Sequence, residues 1–171
     1  MRALPDYLDY NLKIIFVGYN PGERSAFLKH HYAGYNNHFW KLLYESGLTT
    51  RLYNNYEDSL LLEEGYGLTN IVDRPSKSSS DLSIKELKAG ANVLREKIKR
   101  YHPNTVCFLG KEIYRLYAGL KSGSKIPYGL VYQRQTSSQT QEFVAYNPSG
   151  RSYVTYEEKL KTFYMLKQII S

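Results

Sequence analysis

The residue whose type and setting best suit chemistry is Asn20, at the centre of Gly18-Tyr19-Asn20-Pro21-Gly22. A carboxamide is no base at neutral pH, but its oxygen accepts a hydrogen bond from a water and orients it. Two glycines and a proline in five residues make a tight, fixed turn. The turn follows Ile14-Ile15-Phe16-Val17, a short continuous apolar run that predicts a strand buried on both faces, over Lys13–Val17. Ligands of open α/β sheets bind at the carboxyl ends of such strands, so Asn20 stands where a site is expected. The competing reading is a turn in which the asparagine only satisfies local backbone. Ser25 and Tyr32 follow closely enough to face the same pocket. Lys111, after a second apolar run and at a helix start, is placed to meet a phosphate.

Positioning these residues requires strands that alternate with helices. Thr105–Leu109 predicts a second buried strand, and Gly65–Val72 a turn followed by an extended segment. Leu130–Gln133 and Phe143–Tyr146 predict two more strands, joined by the polar loop Thr136–Thr140. Asn36 or Asn37 caps a helix over about His38–Ser46, which Gly47 ends. Ser83-Ile84-Lys85-Glu86 is a capping box that opens a helix of about five turns, with Ile84, Leu87, Ala91, Leu94 and Ile98 on one face. A further helix runs from Lys111 to about Leu120. Thr155-x-x-Glu158 opens the last helix. Leu48–Gly65 carries no clear period. The alternation predicts a three-layer α/β/α sandwich with a mainly parallel sheet, a single domain over residues 1–171.

The formal net charge of +7 and pI near 9.3 favour a polyanionic partner. The single cysteine, Cys107, sits in an apolar run and reads as a small core side chain; with no disulfide to form, a reducing, intracellular setting is expected. No spacing of His and Cys suits a metal, and no signal peptide or membrane span is visible. A nucleotide-binding α/β protein would need a Gly-x-Gly-x-x-Gly or a Walker lysine, and the chain has neither.

GYNPG, HHYAGYNNHFWK, GYGLTNIVDRP and NPSGRS, in this order, resemble the mismatch-specific uracil/thymine-DNA glycosylase family of the uracil-DNA glycosylase superfamily, from about Leu4 to about Ile170. The resemblance implies that Asn20 holds the hydrolytic water, with a second contact from Thr69. It implies a base pocket of Gly18, Tyr19, Ser25 and Tyr32, with Tyr32 stacking on an extruded base. Tyr19 stands where relatives usually carry Ile. Ser25 falls beside the 5-position of the base, where a hydroxyl is less hospitable to a methyl group than Ala, so uracil is expected over thymine. Asn147, Pro148, Ser149 and Gly150 match the second motif, which grips phosphates flanking the target. Arg151 replaces a leucine that bacterial relatives insert into the base stack; animal relatives carry an arginine two positions on, where this chain has Tyr153. Either Arg151 or Tyr153 is the wedge, or Arg151 is a plain phosphate contact.

These implications converge on a monofunctional glycosylase that flips uracil out of G mismatches in double-stranded DNA and hydrolyses the bond to the sugar. Thymine opposite guanine and ethenocytosine are secondary substrates. No lysine falls where it would form a Schiff base, so no lyase step is expected. No cofactor and no metal are implied. The protein is expected to act as a monomer, away from membranes, in the cytoplasm of a bacterium or the nucleus of a eukaryote. The rival from another class is a non-catalytic module that binds mismatches or abasic sites through the same pocket.

Overall fold

The apolar run that precedes the Asn20 turn is buried because it is a central strand. In the computed structural model, which describes residues 2–132 and 139–170, β1 (Ile14–Gly18) pairs in parallel with β2 (Tyr66–Asn70) on one side and β3 (Thr105–Phe108) on the other. β4 (Gly129–Val131) and β5 (Gln141–Val144) complete a sheet of order β2-β1-β3-β5-β4. β5 runs parallel to β3, and only β4, at the edge, runs antiparallel. The expected mainly parallel sheet is therefore present. The strand expected over Phe143–Tyr146 begins earlier, at Gln141, because Glu142 points into the interior and spoils the apolar signature. β4 is shifted to Gly129–Val131. Gln133 and most of the loop expected to follow it lie outside the described residues.

The helices are α1 (Glu23–Leu28), α2 (Phe39–Glu45), α3 (Ile84–Tyr101), α4 (Lys111–Ala118) and α5 (Tyr156–Ile170). Strand alternation shows that they cover both faces. Phe16 stands edge-on to Phe39 of α2. Phe108 is in register with Val17, one step from Phe16, so it points to the other face and meets Tyr114 and Tyr117 of α4. α5 packs beside α2, and α3 beside α4. That is the three-layer α/β/α arrangement. No helix among the described residues is long and apolar enough to cross a membrane.

The helix ends follow the local chemistry of their sequences. Asn37 Oδ1 accepts the Phe39 N–H at the start of α2, and Gly47 follows its end in the left-handed conformation, φ +82°. Both bonds of the Ser83–Glu86 capping box are present at α3. At α5 the Thr155 hydroxyl accepts the Glu158 N–H at 3.3 Å. The unreadable stretch holds a 3-10 helix, Asn55–Glu64, which buries only Asp58 and Leu61 and so leaves no amphipathic period.

Gly90, inside α3, is where the helix backs onto the site-bearing loop after β2. A Cβ there would overlap the Ile71 carbonyl oxygen and press on Val72. Gly→Ala in an exposed helix normally stabilises, but here overlap with backbone reverses the sign. Gly90→Ala is predicted to destabilise by about 1–3 kcal/mol, read as a Tm lower by several degrees. An unchanged or higher Tm would contradict this packing.

Candidate active site

The carboxyl ends of the parallel strands open into a cleft of about 840 Å³. Gly18–Ser25 enters it from β1, Asn70 from β2, Leu109 from β3, and Asn147–Ser149 with Arg151–Val154 from the segment after β5. The order β2-β1-β3 puts β1 beside the point where connections leave in opposite directions, which is where open α/β sheets leave a crevice.

Asn20 is held by its nitrogen. Its Nδ2 donates to the Arg74 carbonyl at 2.9 Å and to Ser76 Oγ at 2.8 Å. A carbonyl can only accept, so this pairing fixes which end of the amide is which. Ser76 Oγ donates onward to the Ser78 carbonyl, so it too must accept from Asn20. The Oδ1 is left as the end of Asn20 that can accept a hydrogen from water in the cleft. Backbone bonds tie the same two segments: Ser76 N–H to Pro21 O, and Val72 N–H to Tyr19 O. The Arg74 loop is braced in turn. The guanidinium forks onto Glu86 at 2.7 and 3.1 Å, and Glu86 is the glutamate of the α3 capping box. Hydrogen bonds from Arg74 and from the Ser83 backbone push the Glu86 carboxyl down to about 2.

Tyr32 sits on the cleft wall with its ring stacked on Phe39, centroids 4.0 Å apart. Its φ of +53° is left-handed, a conformation that costs a non-glycine residue about 1–2 kcal/mol. The flanking backbone is fastened on both sides. Buried Asp58 accepts the His31 N–H at 2.8 Å and lies 3.1 Å from His30 Nδ1. Trp40 Nε1 donates to the His31 carbonyl, and the Ala33 N–H donates to Ser25 Oγ. Burial pushes the pKa of the Tyr32 phenol up, and its oxygen has no hydrogen-bond partner among the described residues.

Gly18 forms the floor. It is in register with Asn70, and a Cβ at Gly18 would strike Asn70 Oδ1 and stand 2.8 Å from the Tyr32 hydroxyl. The missing side chain thus lets an amide and a tyrosine converge. Asn70 is almost buried, with no hydrogen-bond partner for its carboxamide among the described residues. One donor and one acceptor side by side can read the edge of a heterocycle. Tyr19 is half-buried beside them; burial and then Glu112 raise its phenol.

Of the residues singled out from sequence, Gly18, Tyr19, Asn20, Ser25 and Tyr32 are brought together, and Asn147, Pro148, Ser149, Arg151 and Tyr153 line the opposite side. Gly150 belongs to that loop but packs against Asn36. Tyr153 is fully exposed. Two expectations are corrected. Thr69 does not reach the cleft: it is buried, and its hydroxyl donates to Asp6 at 2.8 Å. Side chains alternate along β2, so its neighbour Asn70 is the one that faces in. The hydroxyl beside Asn20 belongs to Ser76. Lys111 does not line the cleft; its ammonium lies 4.3 Å from the centre of the Tyr128 ring. Arg24 and Lys77, absent from the sequence reading of the site, bring two more cations to the walls.

A three-layer α/β/α fold with a mainly parallel sheet and a polar crevice at its carboxyl ends, with Arg24, Lys77 and Arg151 beside Glu23 on the walls, belongs to the class of open α/β proteins that take ligands at their strand ends. The chain belongs to the uracil DNA glycosylase superfamily, whose model matches residues 5–169. Among curated relatives, it is 34% identical over 171 residues to the G/U mismatch-specific uracil DNA glycosylase of Schizosaccharomyces pombe, a match that covers 97% of this chain and 53% of that protein. The chain thus spans about half the length of that relative. Its fold matches the solution NMR structure of a Methanosarcina acetivorans protein described as a candidate uracil DNA glycosylase, with a TM-score of 0.56 over 97% of this chain and 98% of that one. At 19% identity that likeness concerns the fold alone.

Proposed function

We propose that this chain is a monofunctional DNA glycosylase that removes uracil from G·U mismatches in double-stranded DNA. The observation that carries the reading is the Asn20 carboxamide, anchored through both N–H groups with its oxygen left for a water, in a member of this superfamily. The similarity to a relative named for G/U mismatches supports the choice of substrate. A base inside the duplex is out of reach, so it is extruded into the cleft. Tyr32 takes its face and the Asn70 amide its polar edge. The water on Asn20 Oδ1 attacks the sugar carbon as the bond to the base breaks; the bonding electron pair leaves with the base, and the proton the water loses as the new C–O bond forms passes through solvent to the departing base anion, giving a sugar hydroxyl and the neutral base. A cation-like sugar needs a well-placed water more than a strong base, which suits a carboxamide.

Arg24, Lys77 and Arg151 answer the phosphates, with Arg151 or Tyr153 filling the vacated stack. The protein acts as a monomer on DNA inside the cell, with no cofactor. Thymine opposite guanine is a lesser substrate, since Ser25 brings a hydroxyl to the cleft wall where a 5-methyl group would lie, and ethenocytosine is a secondary one.

Single-turnover base release from labelled G·U, A·U, G·T and G·C duplexes, with alkali added to reveal abasic sites, tests this reading. Release from G·U well above A·U, weaker release from G·T and none from G·C is the expected order. Binding of G·U with no release from any duplex would make the protein a mismatch-binding module instead.

The swap of Thr69 for Ser76 gives a second test. Ser76→Ala removes an acceptor from Asn20 and is expected to slow G·U release roughly 10- to 100-fold at saturating enzyme, the range of a lost positioning contact. Thr69→Val loses one hydrogen bond remote from the cleft, about 1 kcal/mol of stability, and is expected to leave the rate within threefold. The reverse ranking would restore Thr69 to the site.

A further inference from the structure

Lys159, on the first turns of α5, is 1% exposed and is the only buried lysine or arginine among the described residues. Burying an ammonium costs several kcal/mol unless an anion or a full set of acceptors meets it. Here no carboxylate lies within 4.0 Å among the described residues. The Nζ instead donates to the Ser149 carbonyl at 2.8 Å and lies 3.3 Å from His38 Nδ1. Burial lowers the Lys159 pKa; burial and the Lys159 charge lower that of His38, which favours the unprotonated, accepting imidazole.

The segment this ammonium grips is the 147–151 loop, and the grip is one of three. The His38 N–H donates to the Pro148 carbonyl at 2.9 Å. Gly150 lies so close to Asn36 that a Cβ would overlap its carbonyl. The carbonyls of Pro148 and Ser149 are thereby drawn inward, toward α2 and α5. In a trans peptide the C=O and the following N–H point in opposite directions, and the chain has no cis peptide. An inward Ser149 carbonyl therefore turns the Gly150 N–H outward. Ser149 Oγ and Arg151 stand beside it, bonded through the Arg151 N–H at 3.2 Å. The outer face of the loop thus offers the Gly150 N–H, the Ser149 hydroxyl hydrogen and the Arg151 guanidinium, with the Lys159 ammonium behind them, and neither cation has an ion-pair partner among the described residues.

We propose that Lys159 is a positioning residue for the substrate's backbone: its ammonium locks the Ser149 carbonyl inward so that the loop presents its outward donors to one phosphate of the bound strand, and that phosphate supplies the counter-charge the ammonium lacks. The proposal rests on the reading of the cleft as a duplex-DNA site and adds a role for a residue outside it.

The test is the Kd of a G·U duplex at several salt concentrations, with base release at saturating enzyme measured alongside. Lys159→Met is expected to weaken binding at least 10-fold and to lower the slope of log Kd against log salt by about one, the signature of one lost phosphate contact. Release from the saturated complex stays within threefold. Lys159→Arg, which restores charge and donors, brings the Kd back within threefold. A folded Lys159→Met protein that binds within twofold of wild type on an unchanged salt slope overturns the proposal. Should Lys159→Met not fold, Gly150→Ala decides: it pushes the loop off Asn36 with the ammonium intact, and binding weakened at least fivefold supports the proposal, whereas binding within twofold overturns it. Failure of the glycosylase reading shows in the release rate of wild type, and failure of this proposal in affinity and salt slope.

Discussion

The site depends on one arrangement: both N–H groups of the Asn20 carboxamide are spent on the loop after β2, on the Arg74 carbonyl and the Ser76 hydroxyl. An amide free to rotate would present its nitrogen as readily as its oxygen to a water. Anchored this way it presents only an acceptor, and a water that donates to it keeps its lone pairs for attack. The rest of the local structure serves that anchor. Pro21 and Gly22 hold the turn, the Ser76 N–H returns to the Pro21 carbonyl, and Arg74 is braced by a glutamate that also caps α3. The long amphipathic helix is thus coupled to the site through Glu86 and Arg74, and through Gly90 against Ile71, although none of its residues lines the cleft.

The second constraint is the left-handed Tyr32. Its strain persists because Asp58, Trp40 and Ser25 fasten the residues on either side. Asp58 is a fully buried carboxylate, and its desolvation is met by N–H donors from His31 and Ser59 with His30 alongside. Polar atoms buried to hold one tyrosine in an unfavourable conformation suit a wall whose job is rigid shape. Gly18 completes it by leaving room where Asn70 and Tyr32 meet.

Much of this was legible where function clusters in one stretch. Gly18, Asn20, Ser25 and Tyr32 all hang on the end of one buried strand, and strand, turn and glycine signals are local. The sheet was legible for the same reason, through its apolar runs. The reading failed where partners come from far along the chain. Ser76 is 56 positions from Asn20, and nothing in a serine-rich loop says which hydroxyl folds back. In Gly67-Leu68-Thr69-Asn70 the error was one residue, which in a strand is the opposite face; the phase could have been taken from Asn70 standing at the strand's carboxyl end. Nothing in the sequence marks Asp58 or Lys159 as buried, because burial of a charge has no sequence signature until its partners are known. Lys111 stands at a strand end as expected, but its ammonium turns to Tyr128.

The most direct measurement separates holding the duplex from breaking the bond. Asn20→Ala removes the oxygen that orients the water and leaves the Tyr32 wall, the Asn70 amide and the cationic rim in place. The account predicts that single-turnover uracil release from a saturated G·U complex falls at least 100-fold, about 2.7 kcal/mol of barrier, while the Kd for the same duplex stays within threefold. Release that survives Asn20→Ala would contradict it and place the water on another residue.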